Sequence, residues 1–231
     1  MLIKVVNPNT TWSMTALIGQ CARAVSSPGT LIDAVSPTMG PASIESHIDE
    51  ALCVPGILEQ IALGEEQGAD GYVIACFGDP GLDAAREAAS GPVVGIAEAA
   101  MHAATFLGRG FSVVTTVGRT TGRAWDLAEN YGFARQCRGV HACEIPVLEL
   151  ETDPDARTII TEACRRAALQ DGSDAIVLGC AGMADLRAHI EREIGRPVVD
   201  GVAAATTTVQ SLVTMGLRTA SAAPSHVREN T

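Results

Sequence analysis

Two of the seven cysteines sit in matching sequence. Gly68-Ala-Asp-Gly-Tyr-Val-Ile-Ala-Cys76 resembles Gly172-Ser-Asp-Ala-Ile-Val-Leu-Gly-Cys180, 104 residues further on. Two residues after each cysteine comes a glycine, Gly78 or Gly182. Each is a short apolar run opening into a glycine loop, the pattern of a strand end. If the two runs are equivalent strands of two facing halves, their sulfurs flank one cleft. Two thiols across a cleft suit inversion of a carbon acid. One, as thiolate, removes a proton from carbon; the other, as thiol, returns a proton to the opposite face. No metal or organic cofactor is required. Free cysteine ionises near about pH 8.5, and local amides or a helix N-terminus can lower that. Asp79-Pro80 reads as an N-cap and a first-turn proline, so a helix is expected to begin just after Cys76. Gly182 leaves room for exposed amides after Cys180. Those amides can hold a thiolate, or a carbonyl oxygen on which enolate charge develops.

Other candidates fall at further strand ends. Asn7-Pro8-Asn9 follows the first apolar run, as an ordinary Asx turn or as amide recognition of a polar substrate. Asn9 is the better candidate of the two. Thr115 and Thr116 end a matching run, with Thr116 favoured. Asp79 reads as a helix cap, a partner for a substrate nitrogen or a tuner of Cys76. The stretch Pro41–His47 holds Ser43, Glu45 and His47 in a loop suited to a cleft mouth. Glu98 and His102, four apart, make a local pair or turn Glu98 toward the cleft. Cys21, Cys53, Cys137, Cys143 and Cys164 read as small buried hydrophobes.

The elements that must position these residues alternate along the chain. Strands are expected over 2–6, 30–35, 72–75, 93–96, 112–116, 139–145, 175–178 and 198–199. Helices are expected over 11–24, 46–66, 81–89, 97–107, 119–131, 155–170, 184–193 and 202–215, with Pro55 breaking or bending the second. Continuous apolar strands alternating with helices indicate an α/β fold with mainly parallel sheets covered on both faces. The cysteine match continues: Gly91-Pro-Val-Val-Gly95 resembles Arg196-Pro-Val-Val-Asp200, and Lys4-Val-Val-Asn7 resembles Ser112-Val-Val-Thr115. Three matches in one order at nearly one offset predict two pseudo-symmetric lobes with the site between them. The first lobe is expected to comprise residues 1–97 plus 203–217, and the second 98–202. Residues 218–231 are expected to form a mobile tail or to serve subunit contacts.

Composition narrows the function. The 231 residues carry 27 acidic and 16 basic side chains, a net charge of −11, and Lys4 is the sole lysine. Such a chain lacks the basic footprint of a nucleic-acid or anionic-membrane partner. Aromatics are 3%, so the core must be Ala, Val, Ile and Leu. The odd cysteine count, without a CxxC pair, points to reduced thiols in a cytoplasmic protein rather than a disulfide framework or a zinc site. His102, His141 and His189 form no metal motif. Walker A, GxGxxG and GxSxG sequences are absent, so nucleotide cradles and hydrolase elbows are not expected.

With these residues in view, the chain resembles the Asp/Glu/hydantoin racemase superfamily, most closely its hydantoin and allantoin racemase branch. The resemblance runs through Val5-Val-Asn-Pro-Asn-Thr10, Ser43-Ile-Glu-Ser-His-Ile-Asp-Glu-Ala51, Ala75-Cys-Phe-Gly-Asp-Pro-Gly-Leu82, Gly95-Ile-Ala-Glu-Ala-Ala100, Ser112-Val-Val-Thr-Thr116 and Val177-Leu-Gly-Cys-Ala-Gly-Met183, covering about residues 1–217. It implies flavodoxin-like lobes, a homo-oligomer and cofactor-independent inversion by Cys76 and Cys180. Amino-acid racemases of the superfamily carry an Asp-Ser turn after the first strand, Asn-Thr after the first cysteine and Thr-His after the second. This chain has Asn7-Pro8, Phe77-Gly78 and Ala181-Gly182 instead. Those departures disfavour a free acidic amino acid and favour a neutral cyclic ureide, a 5-substituted hydantoin or allantoin. The residues expected around such a ring are Asn9, Ser43, Phe77, Gly78, Asp79, Thr116, Val117, Ala181 and Gly182. The alternatives are a racemase of a free acidic amino acid, and a non-catalytic binding protein or thiol redox protein on the same frame.

Overall fold

The apolar runs at 71–74, 93–95 and 175–178 form strands buried along their whole length, the runs at 31–35 and 137–142 form partly exposed edge strands, and the Ala-rich segments between form the covering helices. The computed structural model describes residues 1–220. The elements in chain order are β1 (Leu2–Val6), α1 (Trp12–Val25), β2 (Leu31–Val35), α2 (His47–Glu66), β3 (Gly71–Ile74), α3 (Leu82–Ala88), β4 (Val93–Gly95) and α4 (Ile96–Thr105). They continue with β5 (Phe111–Thr115), α5 (Thr121–Asn130), β6 (Cys137–Ala142), α6 (Ala156–Gln170), β7 (Ala175–Leu178), α7 (Arg187–Ile194), β8 (Val198–Asp200) and α8 (Gly201–Thr214). The strands form two sheets of four, in the orders β2-β1-β3-β4 and β6-β5-β7-β8. Every pairing in both sheets is parallel. The second order repeats the first, as the duplicated sequence requires, and each is a four-strand version of the flavodoxin-like order.

Alternation along each strand divides the core. Val5 and Val73 point to an inner core, whereas Val6, Tyr72 and Ile74 point to an outer one under α2 and α3. In the second sheet Val113 and Val177 face the same inner core, and Val114, Ile176 and Leu178 face the outer core under α6 and α7. The inner core is therefore continuous between the halves. Two helices cross within it. α4 follows β4 but packs on β5, β7 and β8 of the second sheet, while α8 follows β8 and returns to β1, β3 and β4 of the first. The two also pack on each other, and a Cβ at Gly201 would lie 2.7 Å from the Ile96 carbonyl oxygen.

Three expectations are corrected. α2 runs unbroken through Pro55. Its buried face, with Cys53, Ile57 and Ile61, is held in the outer core, and Ala51 and Pro55 face solvent, where the orphaned carbonyl can meet water. Asp79-Pro80 does not start a helix: α3 begins at Leu82 and is preceded by Gly81 at φ 64°. Glu98 and His102 do not pair: Glu98 meets Arg86 and His102 stacks on Phe106. Of the tail expected over 218–231, residues 221–231 lie outside the described residues. No helix among the described residues is long and apolar enough to cross a membrane.

Gly201→Ala is expected to lower stability by about 1–3 kcal/mol by over-packing the α4–α8 crossing. Urea unfolding would measure it as a lowered midpoint at unchanged slope.

Candidate active site

In each sheet the chain reverses its winding direction between the two central strands, so a crevice opens beyond their C-terminal ends. In the first sheet that point lies between β1, which leads into Asn7 and Asn9, and β3, which leads into Cys76. In the second it lies between β5, which leads into Thr116, and β7, which leads into Cys180. Both crevices open into one cavity of about 160 Å³. Its floor carries Asn9, Cys76, Thr116 and Cys180, with Phe77, Gly78 and Ala181 beside the thiols. Residues from both halves thus surround one small space. An apolar cavity of about 150 Å³ accepts a benzene-sized ring, so a single ring fits here.

The seven cysteines separate by exposure. Cys53, Cys137, Cys143 and Cys164 are buried, whereas Cys21, Cys76 and Cys180 are partly exposed, and only the last two of these line the cavity. All seven are free thiols. The protein environment pushes both cavity thiols upward: Cys76 well above its ordinary value, Cys180 to about 12. Burial is the largest cause in each case. The Gly78 amide beside Cys76 and the Gly182 amide beside Cys180 act in the opposite direction and are outweighed. The charge of Cys180 further raises Cys76. The expected lowering by local amides is thus reversed, because burial outweighs the single amide that acts on each sulfur.

The polar side chains around the thiols are partly committed. Asn7 donates to Asn9 Oδ1 at 2.9 Å and to Thr15 at 3.0 Å, and the Thr11 amide also binds Asn9 Oδ1. Asn9 is left with its amide nitrogen, which rests on Met14 sulfur at 3.3 Å, so it offers a donor to the cavity. Thr115 is tied to Thr120 at 3.0 Å and to the Gly179 carbonyl at 3.2 Å. Thr116 has no such tie on its hydroxyl among the described residues, which makes it the hydroxyl on offer.

Charged side chains close the mouth across the two halves. Glu45 accepts from Arg119 at 2.7 Å and from the Val147 amide at 2.6 Å. Arg123 donates to the Gly78 carbonyl through Nε at 3.1 Å and Nη2 at 2.7 Å, and approaches Glu50 at 3.5 Å. His47 lies at the rim, its side chain 78% exposed. Of the residues expected from sequence, Ser43, Asp79, Val117 and Gly182 do not line the cavity. The Asp79 carboxylate instead accepts from the Ala97 and Glu98 amides at 3.1 and 2.9 Å. Arg123, Val147 and Met14 do line it and carry no local sequence signal, and Glu50, within the stretch Ser43–Ala51, lines it as well. Ser112, His141 and Asp171 lie together but form no hydrolytic triad, since Ser112 is fully buried and both partners reach the same Asp171 oxygen. The described residues contain no group of three or more His, Cys, Asp or Glu placed to hold a metal ion.

A duplicated α/β fold with a thiol at each equivalent strand end defines a class, and comparison with known proteins gives the family. Residues 3–209 match the family described as Asp/Glu/Hydantoin racemase, and the chain belongs to that family. It is similar to the hydantoin racemase of Rhizobium meliloti, at 48% identity over 95% of this chain and 91% of that one. The hydantoin racemase of Pseudomonas sp. (strain NS671) is 46% identical, over 95% and 88% of the two chains. An allantoin racemase from Klebsiella pneumoniae superposes with a TM-score of 0.93 at 54% identity, covering 95% of this chain and 90% of that one. The protein is accordingly an isomerase of the racemase class.

Alkylation by iodoacetamide tests the thiol environment. Labelling of Cys76 and Cys180, followed by peptide mass mapping, is expected to be slow at pH 7 and to climb about tenfold per pH unit to beyond pH 9. A plateau already reached at pH 7.5 would contradict the upward shift.

Proposed function

We propose that the protein inverts C5 of a hydantoin-type ring, without a cofactor, by proton transfer between Cys76 and Cys180. One observation carries the reading: two partly exposed thiols, at equivalent ends of a duplicated fold, line one ring-sized cavity. The thiolate takes the C5 proton, and the electron pair of the broken C–H bond moves onto the adjacent ring carbonyl as an enolate. The opposite thiol gives its proton to C5 on the other face and becomes the thiolate. The two sulfurs hold one proton between them before and after, so no oxidant or reductant enters. Their roles exchange with the handedness of the substrate. The raised thiol values favour this division: neutral thiol is the resting acid, and the rare thiolate is a strong base for a weak carbon acid. Mutual repulsion disfavours ionising both at once.

The Asn9 amide nitrogen and the Thr116 hydroxyl supply hydrogen bonds to the ring. Backbone amides of Phe77, Gly78 and Ala181 face the developing enolate oxygen, and Gly182 acts on Cys180 from behind it. Ser43, Asp79 and Val117, outside the lining, take no contact with the ring in this reading. Glu45, Ser46 and Arg119 make the mouth polar, with donors and acceptors suited to a ureido substituent. A polar mouth and a small cavity favour allantoin over hydantoins bearing large apolar groups, in line with the 54% identity to an allantoin racemase.

Circular dichroism of (S)-allantoin and of L-5-benzylhydantoin, run in D2O with reduced protein, tests the reading. Optical signal is expected to decay to zero as deuterium enters C5, faster with allantoin. Cys76→Ser and Cys180→Ser are each expected to slow inversion about 10²–10⁴-fold. Each should retain exchange on one enantiomer only, and on opposite ones. Two fully active single variants would sink the mechanism.

A further inference from the structure

The two halves cap their crossing helices by the same chemistry from different places. At the start of α8, Asp200 ends β8 and accepts from the Val202 and Ala203 amides at 2.9 and 3.0 Å. The matching position at the start of α4 is Gly95, which has no side chain to offer. There the carboxylate comes from Asp79, three residues beyond Cys76, onto the Ala97 and Glu98 amides. A Cβ at Gly95 would lie 2.2 Å from the Asp79 carboxyl carbon, so only glycine leaves room for it. In the second half the residue matching Asp79 is Met183, fully buried and unable to cap anything. The exchange of aspartate between the two positions makes one cysteine loop unlike the other.

The loop around Cys76 is held at several points. The Asp79 amide donates to the Cys76 carbonyl at 3.0 Å and closes the turn. Asp79 sits at φ 44°, a left-handed conformation unfavourable for a residue with a Cβ, which its side-chain bonds sustain. Tyr131, the C-cap residue of α5 in the other half, donates to the same carboxylate at 2.8 Å. Arg123, on α5 itself, holds the Gly78 carbonyl. Among the described residues no matching carboxylate tether reaches the Cys180 loop, where Met183 closes the corresponding turn through its backbone amide.

We propose that Asp79 is a positioning residue for Cys76. By binding the N-terminus of α4 and the Tyr131 hydroxyl, its carboxylate holds the Cys76–Asp79 turn so that Cys76 Sγ faces the cavity with the Gly78 amide beside it. Cys180 needs no such tether, so loss of Asp79 impairs one of the two proton transfers. This rests on the two-thiol reading above.

The test moves the cap without the tether. Asp79→Ala is expected to lower the thermal midpoint by a few degrees, the scale of a lost helix cap in a chain of this size. Asp79→Ala with Gly95→Asp places the carboxylate at the strand end, as at Asp200, on similar extended backbone. The double variant is expected to regain the midpoint but to keep kcat at least about tenfold below the parent, with KM within about twofold. Deuterium entry should fall only for the enantiomer that Cys180→Ser still exchanges, the one served by Cys76. Recovery of kcat together with the midpoint would reduce Asp79 to a cap and overturn the inference. An equal fall for both enantiomers would overturn it as well. If the double variant does not regain its midpoint, Tyr131→Phe decides, since it leaves the cap intact. A smaller loss for the same single enantiomer supports the tether, and unchanged or equally changed exchange overturns it. If the parent enzyme exchanges neither enantiomer, the two-thiol reading falls and takes this inference with it. Parent exchange at both, with unaffected variants, removes this inference alone.

Discussion

Burial of α4 and α8 between the two sheets is the constraint on which the rest of the molecule depends. Each helix leaves one sheet and packs on the other, so neither half completes its inner core without the other. Val202, Ala205 and Val209 of α8 and Ala97, Ala100 and Met101 of α4 are all fully buried there. Fully burying a side chain the size of Val or Met contributes about 1.5–3 kcal/mol, and several such residues cross in each direction. The halves are thereby locked at one separation. That packing brings the strand ends of both halves around one cavity, which Cys76 and Cys180 both line as free thiols.

The chemistry of the site follows from that enclosure. A thiol moved from about 9 to about 12, as at Cys180, makes its thiolate about 4 kcal/mol dearer than in water. That cost is what remains after the Gly182 amide has acted, so one amide does not offset the burial of the sulfur. Burial therefore favours protonated sulfur at both positions. In the proposed reaction this environment suits an acid and a base of the same residue type that trade roles, because each would hold the proton for half of its duty. A site that kept one thiolate permanently stabilised would favour one direction of transfer.

The mouth shows how the two halves are joined nearer the solvent. Glu45 from the first half holds both Arg119 and the Val147 amide of the second, and Arg123 reaches back to the Gly78 carbonyl. These contacts are polar and partly exposed, so each contributes far less than the inner core. Their effect is geometric: they fix which loops border the cavity and give its entrance charge of both signs.

The sequence alone determined the fold class, the strand positions to within a few residues, the repeat and which two cysteines would stand at its equivalent strand ends. These are legible because parallel strands are continuous apolar runs and because a duplication compares the chain with itself. Only the tertiary structure decided the rest. It carried α2 through Pro55, since burial of Cys53, Ile57 and Ile61 outweighs one lost helical hydrogen bond. It brought Glu50 and Arg123, 73 residues apart, to the same wall, a meeting that no local pattern encodes. Most tellingly, Asp79 lies in the local pattern of an N-cap and does cap a helix, yet the helix is α4 rather than the one that follows it. A sequence motif records what a side chain can do. Which partner it finds is set by the packing that brings distant amides within its reach.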